Sequence, residues 1–334
     1  MTDRGAPGGL VAGIDLGGTW ARAAIAGFAG GLLVEDRRRT AGAAGPEPVV
    51  AELVGLVTAL AARQGVAPAA LAGLMVGVPG PVDPTTGIVE SPPNLRGWGR
   101  VALARQLQER LGCPCLLEND ANVAAWGEFR QGAGRGARNF VYVTVSTGIG
   151  AGLVLEGALY RGAQGAAGEF GHMVVDPDGP TCAAGHHGCL EAVASGTAIA
   201  AAAARALAAA PAGAEDAPGA VLRRLAGGAA PDAAMVTAAA RAGDALALQV
   251  VDRAARCLGL ALGGLINLLN PDVIAVGGGV VRTDDLVWTA AQAHVAEGSF
   301  RTPREHCRLV RAELGDDQGL IGAVEWARDR FTPR

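Results

Sequence analysis

Apolar positions along the chain recur with two different periods, and these periods predict alternating strands and helices. Strands are indicated where short apolar runs end in glycine-rich or acidic turns, at Leu10–Ile14, Arg22–Ala26, Leu32–Glu35, Leu71–Val78, Cys115–Leu117, Phe140–Val145, Ala151–Leu155 and Val273–Val276. Helices are indicated where apolar residues share one helical face, at Val50–Ala61, Leu103–Leu111, Ala245–Leu269 and Leu320–Arg330. Strands that alternate with helices are typical of an α/β protein.

One unit of this pattern occurs twice. An apolar strand, a polar glycine-rich turn and a second strand begin at Leu10 and again at Phe140, about 130 residues further on. The repeat predicts a duplicated α/β architecture with two domains flanking a cleft. The Ala-rich region 199–243 is expected to form helices that cover a sheet, and we assign it no chemistry.

Composition restricts the chemistry available. Half of the 334 residues are hydrophobic, 18% are charged and the net charge is −4, so neither nucleic acid nor an anionic membrane is an expected partner. All 28 basic residues are arginine. A P-loop lysine and a Schiff-base lysine are therefore excluded, and phosphate would be bound by backbone amides, hydroxyls, arginine and metal ions.

The distribution of apolar residues and cysteines favours a cytoplasmic protein. The first apolar stretch is broken by Asp15 and lacks a basic leader. No apolar run approaches the ~20 residues that span a bilayer. The six cysteines are expected to be buried thiols or metal ligands before disulfides.

Three turns at strand ends could bind phosphate. Asp15-Leu-Gly17-Gly18-Thr19 exposes backbone N–H groups and a hydroxyl, and its aspartate could hold hydrated magnesium. The alternative for this turn is an ordinary hairpin. Similar turns follow two other strands, at Ser146–Gly150 and Gly277–Gly279. Together the three turns predict a nucleotide site, because nucleotides bind at strand ends in α/β sheets.

Polar groups elsewhere could act on an alcohol. Phosphoryl transfer to a hydroxyl uses a base, and Asp120 in Glu118-Asn119-Asp120 is the candidate. Its alternative role is the N-cap of a helix over Ala121–Phe129. Asn94 lies in a Pro/Gly loop, where it either binds substrate or forms a turn.

A later segment is rich in acids, histidine and cysteine. Gly168-Glu169-Phe170-Gly171-His172 and Cys189-Leu190-Glu191 could surround a polyol with directional hydrogen bonds. The cluster His172, Cys182, His186, His187 and Cys189 favours a metal site, although each member alone could be a solvated loop residue.

Taken together, these motifs resemble the ROK family (repressors, open reading frames and kinases), which includes bacterial glucokinases and N-acetylmannosamine kinases. The resemblance extends from about Val11 to Trp326. It rests on six motifs in order: Asp15-Leu-Gly-Gly-Thr19, Gly77-Val-Pro-Gly-Pro-Val-Asp83, Glu118-Asn-Asp-Ala-Asn122, Gly168-Glu-Phe-Gly-His172, Gly188-Cys-Leu-Glu191 and Gly277-Gly-Gly279.

The resemblance implies an actin-like ATPase (ribonuclease H-like) fold and a role for each matched residue. Asp120 is implied as the catalytic base. The implied sugar ligands are Asn94, Asn119, Asp120, Glu169, His172 and Glu191, and the implied nucleotide-binding residues are Asp15, Gly17, Gly18, Thr19, Thr147, Gly148, Gly277 and Gly278. It also implies a homodimer. The small domain would comprise residues 1–120 and the C-terminal helix 317–331, and the larger domain 121–316 would carry a zinc loop at 172–191.

Two positions depart from the family's pattern. Ser146 stands where members usually carry glycine. In the zinc loop the family pattern is Cys-x-Cys-Gly-x-x-Gly-Cys, and Ala184 occupies the position of a ligand. Zinc sites take four ligands. Three outcomes therefore stay open: His186 or His187 substitutes, water completes the site, or zinc is lost.

The sequence as a whole predicts an ATP- and magnesium-dependent hexose kinase that acts on the 6-hydroxyl of glucose. N-acetylmannosamine, fructose and other hexoses are alternative acceptors. From other classes, the alternatives are a sugar-responsive repressor and a non-catalytic sugar-sensing regulator. The phosphate motif begins at Asp15, which is expected to leave no room for an N-terminal DNA-binding domain, and the presence of Asp120 argues against a non-catalytic sensor.

Overall fold

The computed structural model describes residues 9–42, 44–92, 95–210, 217–282 and 285–333, and it divides into two compact units. The first unit comprises the chain up to Gly136 together with Gly152–Ala167 and Asp316–Arg334; the second comprises Ala137–Ala151 and Gly168–Gly315. The expected boundary at residue 120 differs from this division, which keeps the following helix with the first unit.

Strands and helices alternate through the described residues. The strands are β1 Leu10–Leu16, β2 Trp20–Gly27, β3 Leu32–Arg39, β4 Gly73–Val78, β5 Val82–Asp83, β6 Ile88–Glu90, β7 Arg100–Val101, β8 Cys115–Asn119, β9 Phe140–Val145, β10 Ile149–Leu155, β11 Ala158–Leu159, β12 Val273–Gly277 and β13 Arg308–Arg311. The helices are α1 Pro46–Arg63, α2 Leu103–Leu111, α3 Asp120–Gln131, α4 Leu190–Ala194, α5 Gly196–Ala209, α6 Ala220–Ala226, α7 Ala233–Arg241, α8 Ala245–Leu269, α9 Gly279–Arg282, α10 Asp285–Gly298, α11 Arg301–His306 and α12 Gln318–Phe331.

Two five-stranded sheets share one topology. Their strand orders are β3-β2-β1-β4-β8 and β11-β10-β9-β12-β13, which is the order 3-2-1-4-5 in both. In each sheet the last three strands are parallel to one another, and an antiparallel pair forms part of the other side. The duplicated α/β architecture predicted from the repeat is therefore confirmed.

The C-terminal helix α12 packs closely in the first unit because glycines remove side chains at its contacts. A Cβ added at Gly322 would lie 1.9 Å from the carbonyl oxygen of Val123 in α3, and one added at Gly13 of β1 would lie 2.7 Å from the backbone nitrogen of Val324. These approaches bury α12 between α3 and the first sheet, so the chain's end completes the core of this unit.

The long helix α8 of the second unit has clear start and stop signals. The Asp244 carboxylate accepts hydrogen bonds from the backbone amides of Leu246 and Ala247, and Asn270 ends the helix in the left-handed conformation. Its bounds coincide with the predicted Ala245–Leu269. Asp244 is also buried and accepts bonds from Gly219 and Leu222, so it ties α6 to α8.

Some elements were not predicted. The three-stranded sheet β5-β6-β7 and α10 carry too short or too weak a period to be recognised. Among the described residues, the structure contains no helix that combines the length and the apolar character needed to cross a bilayer.

Candidate functional site

The first glycine-rich turn joins β1 to β2. Gly17 donates its amide to the carbonyl of Trp20 at 2.9 Å, which closes a hairpin turn, and Gly18 and Thr19 are exposed at its tip. Thr40, which the sequence did not single out, binds this turn: its hydroxyl donates to Gly17 O at 2.7 Å and its amide to Thr19 O at 2.9 Å. The backbone of this turn is therefore the ordinary hairpin that the sequence offered as an alternative. Its exposed tip is accessible to a ligand.

Asp15 lies at the end of β1 directly below this turn. Asp15 is partly exposed, but protein atoms surround most of its carboxyl group. The resulting loss of hydration raises the pKa of this carboxyl to about 6. Arg22, which pairs with Asp15 on the neighbouring strand, acts to lower the same pKa. A Cβ at Gly319 would lie 2.7 Å from the Asp15 carboxylate. Glycine at this point of α12 therefore keeps room beside the carboxylate.

The candidate base lies where β8 runs into α3. Asn119 caps this helix: its Oδ1 accepts from the amides of Ala121 at 2.9 Å and Asn122 at 3.2 Å, while its Nδ2 donates to Gly80 O at 3.3 Å. Asp120 is the first residue of α3, and its Oδ1 accepts from the amide of Ala121 at 2.9 Å. The cap position belongs to Asn119, one residue before the position considered from sequence.

In the second unit, two predicted turns lie side by side at the ends of β9 and β12. Gly278 has φ +92°, and a Cβ there would lie 2.3 Å from Val145 O. Only glycine suits both this conformation and this approach. Gly277 pairs with Thr144 across the two parallel strands, so the structure brings the Ser146–Gly150 turn and the Gly277–Gly279 turn together.

These two turns form one wall of a cavity of about 510 Å³. Its residues come from the turns, from the start of α5 and from α7 with the segment before it: Ser146, Thr147, Gly196, Thr197, Ala200, Pro231, Asp232, Ala233, Ala234, Thr237, Gly279 and Val280. Half of this wall belongs to the Ala-rich region to which we assigned no chemistry. Thr237, the one hydroxyl side chain in that region, and Thr197 just before it were the available signal.

Glu191, a candidate sugar residue, is hydrogen-bonded to the Ser146–Gly150 turn in the second unit. Its Oε2 accepts a hydrogen bond from the amide of Ile149 at 2.9 Å, and a Cβ at Gly148 would lie 2.5 Å from the same oxygen. His172 ends a short 3-10 turn, and its Nε2 lies 4.0 Å from the carboxylate of Glu169. Asn94 lies outside the described residues.

Four potential metal ligands converge in the Cys182–Cys189 loop. The ligand atoms of His172, Cys182, His186 and Cys189 all lie within 4.8 Å of one another. His172 Nδ1 is buried and has no hydrogen-bond partner. His187 is not in this group, and its Nδ1 lies 3.2 Å from the hydroxyl of Thr181.

The donor set fits a zinc ion. Two thiols and two imidazoles are a common tetrahedral zinc set, and a buried ring nitrogen without a partner is a suitable ligand atom. Burial acts to raise the pKa of the Cys182 thiol, but hydrogen bonds, chiefly from the His186 backbone and the Cys189 thiol, outweigh it and lower that pKa to about 6. Burial and the neighbouring Cys182 raise the pKa of the Cys189 thiol. A thiolate is the form that binds metal.

Comparison with known proteins relates the whole chain to one family. The model of the ROK family matches residues 11–330. The chain is 34% identical to a glucokinase of Thermotoga maritima over 96% of this chain and 97% of that protein. The crystal structure of a ROK hexokinase from Thermus thermophilus covers 95% of this chain and 97% of its own, at 34% identity and a TM-score of 0.81.

Two further relatives represent the two classes considered for this chain, a sugar kinase and a regulator. A ROK family glucokinase from Streptomyces griseus, solved in complex with glucose and AMPPNP, is 34% identical, covers 96% of this chain and 100% of its own, and has a TM-score of 0.77. The xylose repressor of Bacillus subtilis is 26% identical over 97% of this chain but only 78% of its own length. The duplicated fold is thus that of the ROK sugar kinases, which is the actin-like ATPase fold.

Proposed function

The chain belongs to the ROK family, and from that premise we propose that it is an ATP-dependent hexokinase that phosphorylates the 6-hydroxyl of glucose. The relatives support a sugar kinase. The observation that carries the proposal is the hydrogen bond from Ile149 to Glu191, because it joins the wall of the 510 Å³ cavity to a candidate sugar ligand within one unit. Glucose is the preferred acceptor because of the glucokinase relatives.

In this proposal the adenosine occupies the cavity of the second unit. Its apolar lining suits a purine face, and the hydroxyls of Thr197 and Thr237 can bind polar edges. The amides of Thr147 and Gly148, and in the first unit those of Gly18 and Thr19, are the proposed phosphate donors. Gly17, whose own amide is bonded to Trp20 O, would form the turn that carries Gly18 and Thr19. With no lysine in the chain, backbone N–H groups carry most of this recognition.

Asp120 is the proposed base. It accepts the proton of the 6-hydroxyl as that oxygen attacks the γ-phosphorus, and the bond from phosphorus to the bridging oxygen of ADP breaks. Magnesium bound with the nucleotide would neutralise phosphate charge, and the Asp15 carboxylate is proposed to hold its hydration shell. Glu169, His172 and Glu191 are proposed to bind the sugar hydroxyls, as are Asn119 and Asn94.

We also propose a structural zinc ion held by His172, Cys182, His186 and Cys189. Sequence left His186 and His187 as equal candidates, and the proximity of the four ligand atoms favours His186. The ion would fix the loop before α4 and so the position of Glu191. His172 would bind metal through one ring nitrogen and donate from the other.

A coupled assay of ADP release tests the kinase proposal. Purified protein with ATP and magnesium is expected to turn over glucose faster than fructose, mannose or N-acetylmannosamine. Faster turnover of another sugar would keep the kinase and replace the acceptor. Sugar binding by calorimetry without ADP release from any sugar would instead favour the regulator, a class to which the xylose repressor relative belongs.

The family resemblance also supports a homodimer as part of the proposal. Light scattering on a size-exclusion column is expected to give about twice the chain mass of 33.4 kDa. A single mass near that of one chain at all concentrations would exclude it.

A further inference from the structure

A buried carboxylate paired with a partly exposed arginine lies directly before the candidate base. Glu118, near the end of β8, is only 2% exposed, and its Oε2 accepts a hydrogen bond from Arg161 Nε at 2.7 Å. Arg161 follows β11 in the Gly152–Ala167 segment of the first unit. A buried carboxylate is costly without a compensating charge, so Glu118 depends on Arg161.

The second oxygen of Glu118 binds the residues on both sides of Asp120. Glu118 Oε1 accepts from the backbone amide of Asn119 at 3.1 Å and from the side-chain amide of Asn122 at 2.9 Å. Asn119 is the cap of α3, and Asn122, 1% exposed, lies in its first turn. The carboxylate therefore restrains the backbone that carries Asp120 at two points.

Arg161 is itself held from the opposite side. Its guanidinium lies over the indole of Trp326 in α12, 4.7 Å from the ring centroid. That indole packs on Trp126 of α3, with centroids 5.0 Å apart. A planar guanidinium can stack on an aromatic ring and still donate hydrogen bonds in its own plane. Arg161 thus links Glu118 to α12, which in turn packs on α3.

We propose that Arg161, acting through Glu118, is a positioning residue that orients Asp120 at the start of α3 for phosphoryl transfer. The inference rests on the proposed role of Asp120. It requires no contact between Arg161 and the sugar. Arg161 belongs to none of the six motifs. Its proposed role is inferred only from the folded structure, in which it contacts Glu118 of β8. Its effect is expected in turnover, because a base displaced by about 1 Å transfers a proton poorly.

Arg161→Met is the primary test, and Arg130→Met is its matched control. Arg130 also bridges α3 and α12, since it stacks on Trp126 at 5.7 Å and pairs with Asp329 at 2.8 Å, but it does so at the other end of α3. R161M is expected to lower kcat by about tenfold or more while the KM for sugar changes less than about threefold. R130M should change neither. Wild-type kcat in folded R161M would overturn the proposal.

A double-mutant cycle separates positioning from a loss of stability. Glu118→Gln keeps an acceptor oxygen for Asn119 and removes the buried charge, so E118Q/R161M should fold even where R161M is unstable. If the pair acts as a unit, the double variant should lose no more kcat than R161M alone. If the fold-losses in kcat of the two single variants instead multiply in the double variant, the proposal is overturned. Arg161→Lys, which keeps the charge, should recover part of the loss.

Hydrogen exchange tests the inference independently of the proposed function. The amides of Ala121 and Asn122 are expected to exchange at least about tenfold faster in E118Q/R161M than in the wild type, because the first turn of α3 opens more often. R130M should leave these amides unchanged. Unchanged exchange in the double variant would refute the positioning role. A wild-type protein that phosphorylates no sugar would refute the proposed function instead.

Discussion

The side-chain oxygen of Asn119 lies 2.9 Å from the backbone nitrogen of Ala121, and this contact, with a second one to Asn122, makes Asn119 the cap of α3. Asp120 follows as the first helical residue. The cap and the candidate base are therefore adjacent residues with separable roles, and substitutions at the two positions should have different consequences.

Asp120→Asn should lower kcat by ~10²–10⁴, because an amide cannot accept the proton of the sugar hydroxyl. Sugar affinity and the free energy of unfolding should change little, since asparagine retains an oxygen for the amide of Ala121. Steady-state kinetics and urea denaturation measure both quantities. Near-normal turnover in this variant would contradict the role of Asp120 as base.

Asn119→Ala is the companion variant for stability. Removing the cap should lower the free energy of unfolding by about 1 kcal/mol, because the amide of Asn122 loses its side-chain acceptor and the amide of Ala121 keeps only the Asp120 carboxylate. Urea denaturation measures this loss. An unchanged unfolding midpoint would show that the hydrogen bonds of Asn119 are dispensable.

Ala200→Phe should block the cavity of the second unit. Ala200 lines this cavity from α5, and a phenyl ring there would occupy the volume proposed for the purine. The KM for ATP should rise about tenfold or more, a loss of at least ~1.4 kcal/mol of binding free energy, while sugar affinity measured without nucleotide should stay unchanged. Ala201→Phe, on an exposed position of the same helix, is the control. Equal effects of the two variants would place the nucleotide elsewhere.

Asp15 should make stability and activity depend on pH in opposite directions. Burial raises the pKa of its carboxyl from 3.8 to about 6, with Arg22 opposing the shift. Between these values the folded protein binds a proton that the unfolded chain releases, so this group lowers the free energy of unfolding as pH rises to about 6. Turnover should instead fall below about pH 6, because a protonated Asp15 holds magnesium poorly.

Asp15→Asn tests that dependence. It should raise the free energy of unfolding at pH 8 by up to ~3 kcal/mol, give a smaller gain at pH 5, and abolish most turnover at both values. Asp36→Asn, on an exposed position of β3, is the control for removal of a surface carboxylate. A destabilised Asp15→Asn protein at pH 8 would show that the charge of Asp15 supports the fold.

Zinc content should distinguish the two adjacent histidines. Protein purified without chelators is expected to contain about one zinc per chain. His186→Ala should lose most of the metal because it removes one of the four converging ligands. His187→Ala should retain it, since this ring contacts Thr181. Fully active protein with negligible zinc would show that the loop folds without metal, and equal losses in both variants would contradict the choice of His186.

Much of the fold is encoded locally and was predicted. The bounds of α8 follow from a cap, an apolar period and a helix-ending Asn-Pro pair that are contiguous in the chain. Strand ends followed by glycine-rich turns identified three turns, and the structure brings the two of the second unit together because β9 and β12 are neighbours. Strands of two or three residues, such as β5 and β7, have no measurable period and were missed.

The sequence by itself determined the α/β class, the duplication and the residue types available for phosphate, sugar and metal, because periodicity and turn chemistry depend on near neighbours. The tertiary structure decided which side chains meet. The choice of His186 over His187 depends on how the loop before α4 folds on itself. The cavity wall from the Ala-rich region and the pairing of Glu118 with Arg161 arise where distant segments meet at a strand end. Such contacts depend on the packing of whole elements, and no local pattern records them.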